Sequence, residues 1–287
     1  MNQTLLPSKN PVRQVAENVS SRAGLSTLLG DFYKSTQSSG SWFYASWIET
    51  LLQYRSTKLG PLWISVGTAL FVFVVGSLYG RVVLSGGSNI YLAHLAVGLV
   101  LWYLMQRIVV VGCNIFIINR SAILDGVSSY TDVILGLVTK NLIILIHNFV
   151  VIVLVFIYIG LAPTTTALAL FFTLPLVVAN LLWVCVIVAV LGARYPDFQE
   201  MVGAVLRLFF FLTPILWIPH QHVRGPFVDA ALYLNPFYYM LEAVREPLVY
   251  GQIPVFEIGV LIVALPIGWL LASLLYMRAR NSLALWL

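Results

Sequence analysis

Six stretches of this chain, residues 61–84, 93–118, 142–161, 167–192, 203–218 and 255–277, are apolar almost without interruption. A helix needs about 20 such residues to cross roughly 30 Å of hydrocarbon. Each stretch reaches or approaches that length, so the pattern predicts an all-α polytopic membrane protein with six transmembrane helices. The fifth stretch is short, and Pro214 and Pro219 predict a broken or tilted outer end. Composition agrees: 60% of the 287 residues are hydrophobic and 9% are charged, where a soluble domain carries about a quarter charged.

The cations orient these spans. With both termini cytoplasmic, Lys9, Arg13, Arg22, Lys34, Arg55, Lys58, Arg120, Arg194, Arg278 and Arg280 lie inside, against Arg81, Arg224 and Arg245 outside. Arg107, Lys140 and Arg207 fall within spans or at their inner ends. This asymmetry predicts an N-in, C-in topology. It also accounts for the net charge of +5 as an orientation signal, so no nucleic-acid partner is expected. The first forty residues lack an apolar core of signal-peptide length. Cys113 and Cys185 sit in apolar runs and read as small buried residues.

Residues 1–40 read as a mobile cytoplasmic tail, rich in Ser, Asn and Gln over its first thirty positions. Residues 41–58 differ. On a helical wheel Phe43, Tyr44, Trp47, Ile48, Leu51, Leu52 and Tyr54 fill one half, and Ser46, Glu49, Thr50 and Gln53 the other, with Trp42 as an exception. Such a moment beside a membrane entry predicts a helix lying in the interface, one packed on a partner subunit, or both. The stretch QYRSTKLGPLW at 53–63 follows: cations, a helix break and an interfacial aromatic. Residues 59–287 then form the six-span domain. Between spans five and six, residues 219–254 are too polar to span and too apolar for a solvated loop. A re-entrant helical hairpin in the outer leaflet fits, provided protein covers its backbone.

No catalytic machinery is visible, and the chain reads as a transport subunit rather than an enzyme. There is no Gly-Lys dipeptide, which excludes a Walker A loop, and no GxSxG or HExxH. His220 and His222 read as loop residues, and no metal site is expected. Arg107 and His147 are ionisable groups at depth, serving either an inter-helix hydrogen bond or a substrate contact.

The order of motifs is more specific than any one of them. QYRSTKLGPLW enters span one, YLAHLAVGLVLW opens span two and KNLIILIHN starts span three. GARYPDF follows span four, FFLTPILWIP closes span five, and LNPFYYMLEAVREPLVYG fills the outer hairpin. Over about residues 40–280 this series resembles the permease subunit of ABC-type polysaccharide exporters, the Wzm-like group of type-2 ABC exporters that move O-antigen and related glycans. Two departures stand out: Tyr195-Pro196-Asp197 replaces a frequent Arg-Asp, and Gly67 and Thr68 stand where some exporters carry a proline.

The resemblance implies a homodimer of permeases in the bacterial inner membrane, bound to two copies of a Wzt-like ATPase subunit. That partner would bind ATP and Mg; no cofactor is expected in this chain. It implies a substrate on an undecaprenyl diphosphate carrier, with a glycan path between the two copies and lipid around them. Arg55 and Lys58 are the candidates for the diphosphate, or else they serve topology and lipid headgroups. Trp63 and Phe71 in span one and Phe209, Phe210 and Phe211 in span five are candidates for the channel lining, against the alternative of lipid-facing aromatics. In the loop 119–132, Arg120, Ser121, Ile123, Leu124 and Asp125 are candidates for ATPase coupling. Phe227, Tyr238, Glu242 and Arg245 are candidates for an outer gate, with Glu246 spaced for a further helix ion pair. Competing expectations are the same exporter class carrying teichoic acid, capsule or a drug, and a membrane glycosyltransferase.

Overall fold

The computed structural model describes residues 28–37, 39–54, 62–82, 90–219 and 225–287. Two short helices, α1 (Leu28–Gln37) and α2 (Ser39–Tyr54), precede α3 (Leu62–Val82) and α4 (Ile90–Ile118). A five-residue helix α5 (Arg120–Leu124) leads into α6 (Tyr130–Ile159). Then come α7 (Leu170–Arg194), α8 (Phe198–Leu212), α9 (Pro226–Tyr233), α10 (Pro236–Arg245) with a π turn at Glu246–Tyr250, and α11 (Val255–Trp286). Among the described residues there is no strand. Among the described residues four helices are long and apolar enough to cross a membrane: α4, α6, the 3-10/α7 segment Thr165–Arg194, and α11. Within α3, Ser65–Leu78 is a shorter apolar helix.

Local chemistry sets the element boundaries. The helix predicted over 142–161 begins at Tyr130, because Ser129 and Asp132 form a reciprocal capping box that satisfies the first free N–H groups. It ends at Gly160, whose φ of 68° is the left-handed C-cap, which glycine adopts without a Cβ penalty. The helix predicted over 203–218 instead runs Phe198–Leu212. Its start follows the break at Tyr195-Pro196, where Tyr195 is extended (ψ 103°); its end is Thr213, extended at ψ 134° ahead of Pro214. The residue before proline is pushed out of the α region in both places. Pro226 and Pro236 begin α9 and α10, where a missing N–H is tolerated.

Helix α4 is the axis of the bundle, with α3, α6, α7, α8 and α10 packed around it. Small residues let its neighbours approach closely, as in membrane bundles generally. A Cβ on Gly192 would strike the Cys113 backbone carbonyl at 1.8 Å, so α7 crosses α4 at backbone contact distance. A Cβ on Gly268 would strike the Trp183 ring at 2.2 Å, which seats α11 on α7. Polar contacts cross these seams too: Asn180 Nδ2 donates to Leu261 O across α7 and α11 (3.3 Å). Between α3 and α6, Ser65 Oγ donates to His147 O (2.7 Å) and Thr68 Oγ1 to Asn148 Oδ1 (3.1 Å).

Candidate functional site

The bundle has two ends, and each carries a candidate site. At one end, α8 breaks at Thr213-Pro214 and leaves a non-helical stretch whose carbonyls have no helical partner. Unsatisfied backbone costs several kcal/mol per group away from water (about the cost of a lost hydrogen bond or more), so this stretch has to be answered by side chains. Tyr91 Oη donates to Leu216 O (2.8 Å), and Trp217 Nε1 donates to Phe211 O (3.1 Å). Asn235 caps α10 through Phe237 N (3.0 Å) and donates its amide to Thr213 Oγ1 (2.8 Å).

Arg245 completes this arrangement. Its side chain is fully buried, forms an ion pair with Glu242 through Nε (3.1 Å) and Nη2, and donates from Nη1 to Pro214 O and His94 Nε2. A guanidinium only donates. His94 Nε2 lies 2.9 Å from that Nη1, and its Nδ1 lies 2.7 Å from Tyr250 Oη. The carbonyls of Pro214 and Trp217 each lie 3.1 Å from the same Nε2. One cluster thus ties α4 (His94), the broken end of α8 (Pro214), α10 (Glu242, Arg245) and the π turn (Tyr250). Aromatic packing reinforces it: Trp102 meets Phe210 and Phe237 at ring-centroid distances of 5.7 and 5.5 Å.

Arg245 is consequently no solvated loop cation, and it drops out of the charges that orient the chain. Glu242 is buried with it, and Tyr238 is half-buried nearby. Phe227 lies in α9, but its side chain lies outside the described residues. Sequence reasoning missed His94, Tyr250, Asn235 and Thr213. The signal for His94 was present, since an ionisable side chain in an apolar run carries a function or a partner.

At the opposite end sit α1, α2, α5, the start of α6 and the last turns of α11. Ser35 and Thr131 hydroxyls are 2.6 Å apart, Arg280 pairs with Asp31 (3.3 Å), and Lys140 pairs with Glu49 (3.2 Å). Helix α2 is inside out by the standards of a soluble protein. Ser46 and Thr50 are buried, with Ser46 Oγ donating to Gly136 O of α6 (2.9 Å), while Phe43, Tyr44, Trp47, Leu51 and Leu52 are exposed. Trp42, the exception on the helical wheel, donates Nε1 to Ser35 O (2.7 Å). In the loop 119–132, Ile123 anchors α5 in the core and Leu124 is half-buried; Arg120, Ser121, Asp125 and Val127 face outward. Among the described residues Arg120 and Asp125 make no ion pair. Arg55 and Lys58 lie outside the described residues. Of the aromatics expected along a channel, Trp63, Phe71 and Phe211 are exposed, and Phe209 and Phe210 are half-buried against α4 and α10. Near the middle of α6, His147 bonds its own helix through Nδ1 to Ile143 O (2.8 Å).

Long apolar helices crossing at glycine contacts, with irregular backbone only where side chains answer it, define a multi-pass helical membrane protein. Residues 41–249 match the ABC-2 type transporter family, and the chain belongs to it: it is the membrane-spanning permease of a type-2 ABC transporter, a class that works with an ATPase partner. No individual curated protein matches the chain.

Proposed function

We propose that this permease exports a polysaccharide, such as O-antigen, on an undecaprenyl diphosphate carrier across the bacterial inner membrane. The channel forms between two copies, and two copies of a separate Wzt-like ATPase bind ATP and Mg and drive it; this chain performs no catalysis. Six spans, α3, α4, α6, α7, α8 and α11, run N-in and C-in. Residues 219–254 form a re-entrant outer hairpin held by the His94–Arg245 cluster, with Phe227 and Tyr238 at its gate.

The observation that carries this reading is the uncovered face of α8. Leu206 is its one buried side chain, and Arg207 is exposed midway along it beside Leu208 and Phe211. A charged side chain at depth faces protein or water rather than lipid. Helix α3 likewise leaves Trp63, Leu70, Phe71, Phe73 and Val74 uncovered. A second copy facing these helices would close an aromatic path in which ring faces meet the apolar faces of sugars. The outward residues of α5 and the following turn are the ATPase docking element, and α2 transmits the push. Arg55 and Lys58 hold the carrier diphosphate by charge-assisted hydrogen bonds.

The test is export in cells that make a lipid-linked glycan. Replacing both Arg55 and Lys58 by Ala lowers surface glycan at least tenfold with permease abundance unchanged, and lipid-linked glycan accumulates inside. Wild-type export by that variant at normal abundance removes the diphosphate role.

A further inference from the structure

Helix α8 carries two charged side chains, Glu200 and Arg207, and both are exposed. They stand seven residues apart on one stripe, about 10 Å along the axis, with Gly203 between them. A Cβ on Gly203 would sit 3.9 Å from Arg207 Nη1, so the guanidinium lies back over the glycine, in the direction helical side chains take. The cation therefore rests in a notch of bare backbone, midway along an apolar helix. Among the described residues Arg207 makes no ion pair, with Glu200 or any other acid.

The helices beneath it offer no counter-charge. Helix α8 rests on α4 and α7, and neither contains an acidic residue. Their cations are engaged elsewhere: Arg107 of α4 lines a cavity shared with α2 and α6, and Arg194 of α7 stacks on the rings of Tyr195 and Trp286 at 5.5 and 5.2 Å. Glu200 stands near the start of α8, on the inner side in the proposed topology, where water screens it. An unneutralised arginine at depth has to meet an anion or water, since hydrocarbon supplies neither. Two copies facing one another across α3 and α8 would turn two such guanidiniums toward one path, and they repel unless an anion stands between them.

We propose that Arg207 receives the carrier diphosphate as it moves inward from Arg55 and Lys58 along the path, and so selects for a diphosphate-bearing substrate. The assignment rests on the two-copy channel proposed above. The diphosphate is the part of a lipid-linked glycan that brings charge across the hydrocarbon whichever polymer is attached, and an unpaired charge there is costly. Arginine meets phosphate through paired N–H donors, and basic side chains serve phosphate-conducting pores in this way.

The experiment is equilibrium dialysis of farnesyl diphosphate, a soluble isoprenoid diphosphate, against the full chain in phosphatidylcholine nanodiscs, with farnesol as the uncharged control. All variants are built both in the wild-type chain and in the Arg55→Ala, Lys58→Ala background. In either, Arg207→Gln weakens diphosphate binding about tenfold and leaves farnesol binding unchanged, and Arg207→Lys weakens it less. Arg278→Gln, which removes an exposed cation of α11, changes nothing. Gly203→Leu fills the notch with every charge in place and with a gain in helix propensity; it weakens diphosphate binding severalfold, which keeps the test open should Arg207→Gln fold poorly. Unchanged diphosphate binding in Arg207→Gln, or an equal loss in Arg278→Gln, overturns the assignment. An equal loss of farnesol does the same, because it marks a structural role. Arg207-dependent binding of a phosphorylated oligosaccharide, with none of farnesyl diphosphate, gives the cation to the polymer and overturns the carrier assignment. A loss in Arg207→Gln with none in Arg55→Ala, Lys58→Ala removes the role of the inner cations and leaves this one standing. Export measured on the same variants reports separately on the transport reading.

Discussion

His94 and Arg245 stand 151 positions apart in the chain and meet at 2.9 Å, and the end of the molecule around α10 depends on that meeting. Both partners of the Glu242–Arg245 pair are almost fully buried, with side-chain exposures of 4% and 1%. Removing one charge leaves the other stranded, which costs about 3–5 kcal/mol, whereas replacing both is far less costly. Arg245→Met and Glu242→Met are therefore each strongly destabilising, and the double variant is no worse than either single; unfolding in denaturing detergent reads the cycle. Glu246, just outside this pair, is half-buried. Burial first, and then the charge of Glu242, push its carboxyl up to about 7 against an ordinary 4.5, with Arg245 pulling the other way. A raised acid is held protonated by the folded state, so its contribution is complete below the ordinary value and lost as pH rises through the raised one. Thermal stability of the purified protein should fall between about pH 5 and about pH 8, and Glu246→Gln should flatten that slope. A slope unchanged in the variant places the titration elsewhere.

At the scale of elements, the helices were legible wherever one physical rule dominated. Long apolar runs marked α4, α7 and α11, and Pro214 marked the broken outer end of α8, whose start at Phe198 was instead expected at residue 203. The start of α6 was obscured because Asp132 and Lys140 lower its hydropathy, although the Ser129-to-Asp132 capping box was there to be read. What patterning could not supply was the partner of each polar residue. The amphipathic wheel of α2 fitted either an interfacial helix or a helix packed on a partner subunit. Its polar face, through Ser46 and Thr50, turns toward the protein and its aromatic face outward, a reversal that makes sense only if lipid or another subunit covers it. The faces of α3 and α8 raise the same question, and the answer proposed is a second copy. With Cys113 and Cys185 replaced by Ala, Phe71→Cys combined with Phe211→Cys should yield oxidative dimers in native membranes. Ile157→Cys, exposed on α6 away from those faces, should not. Dimers from Ile157→Cys alone would move the interface to α6.

The whole molecule is a bundle with a division of labour between its ends. One end gathers α1, α2, α5 and the C-terminal turns of α11 around ion pairs that hold short elements beside the loop 119–132. The other closes the irregular backbone after α8 through buried polar side chains of α4 and α10. Close glycine crossings join α4, α7 and α11 through the centre of the bundle. Composition and motif order indicated a transporter that draws its energy from elsewhere, and membership in the ABC-2 type transporter family places an ATPase beside it. Reconstitution tests the central claim most directly: the permease and its co-expressed ATPase in liposomes, loaded with an undecaprenyl diphosphate-linked glycan, assayed for glycan reaching the opposite leaflet. The account predicts movement that requires ATP and both subunits, and permease alone that neither hydrolyses ATP nor moves glycan. ATP hydrolysis by the permease alone, or a complex that hydrolyses ATP while the glycan stays where it was loaded, would contradict it.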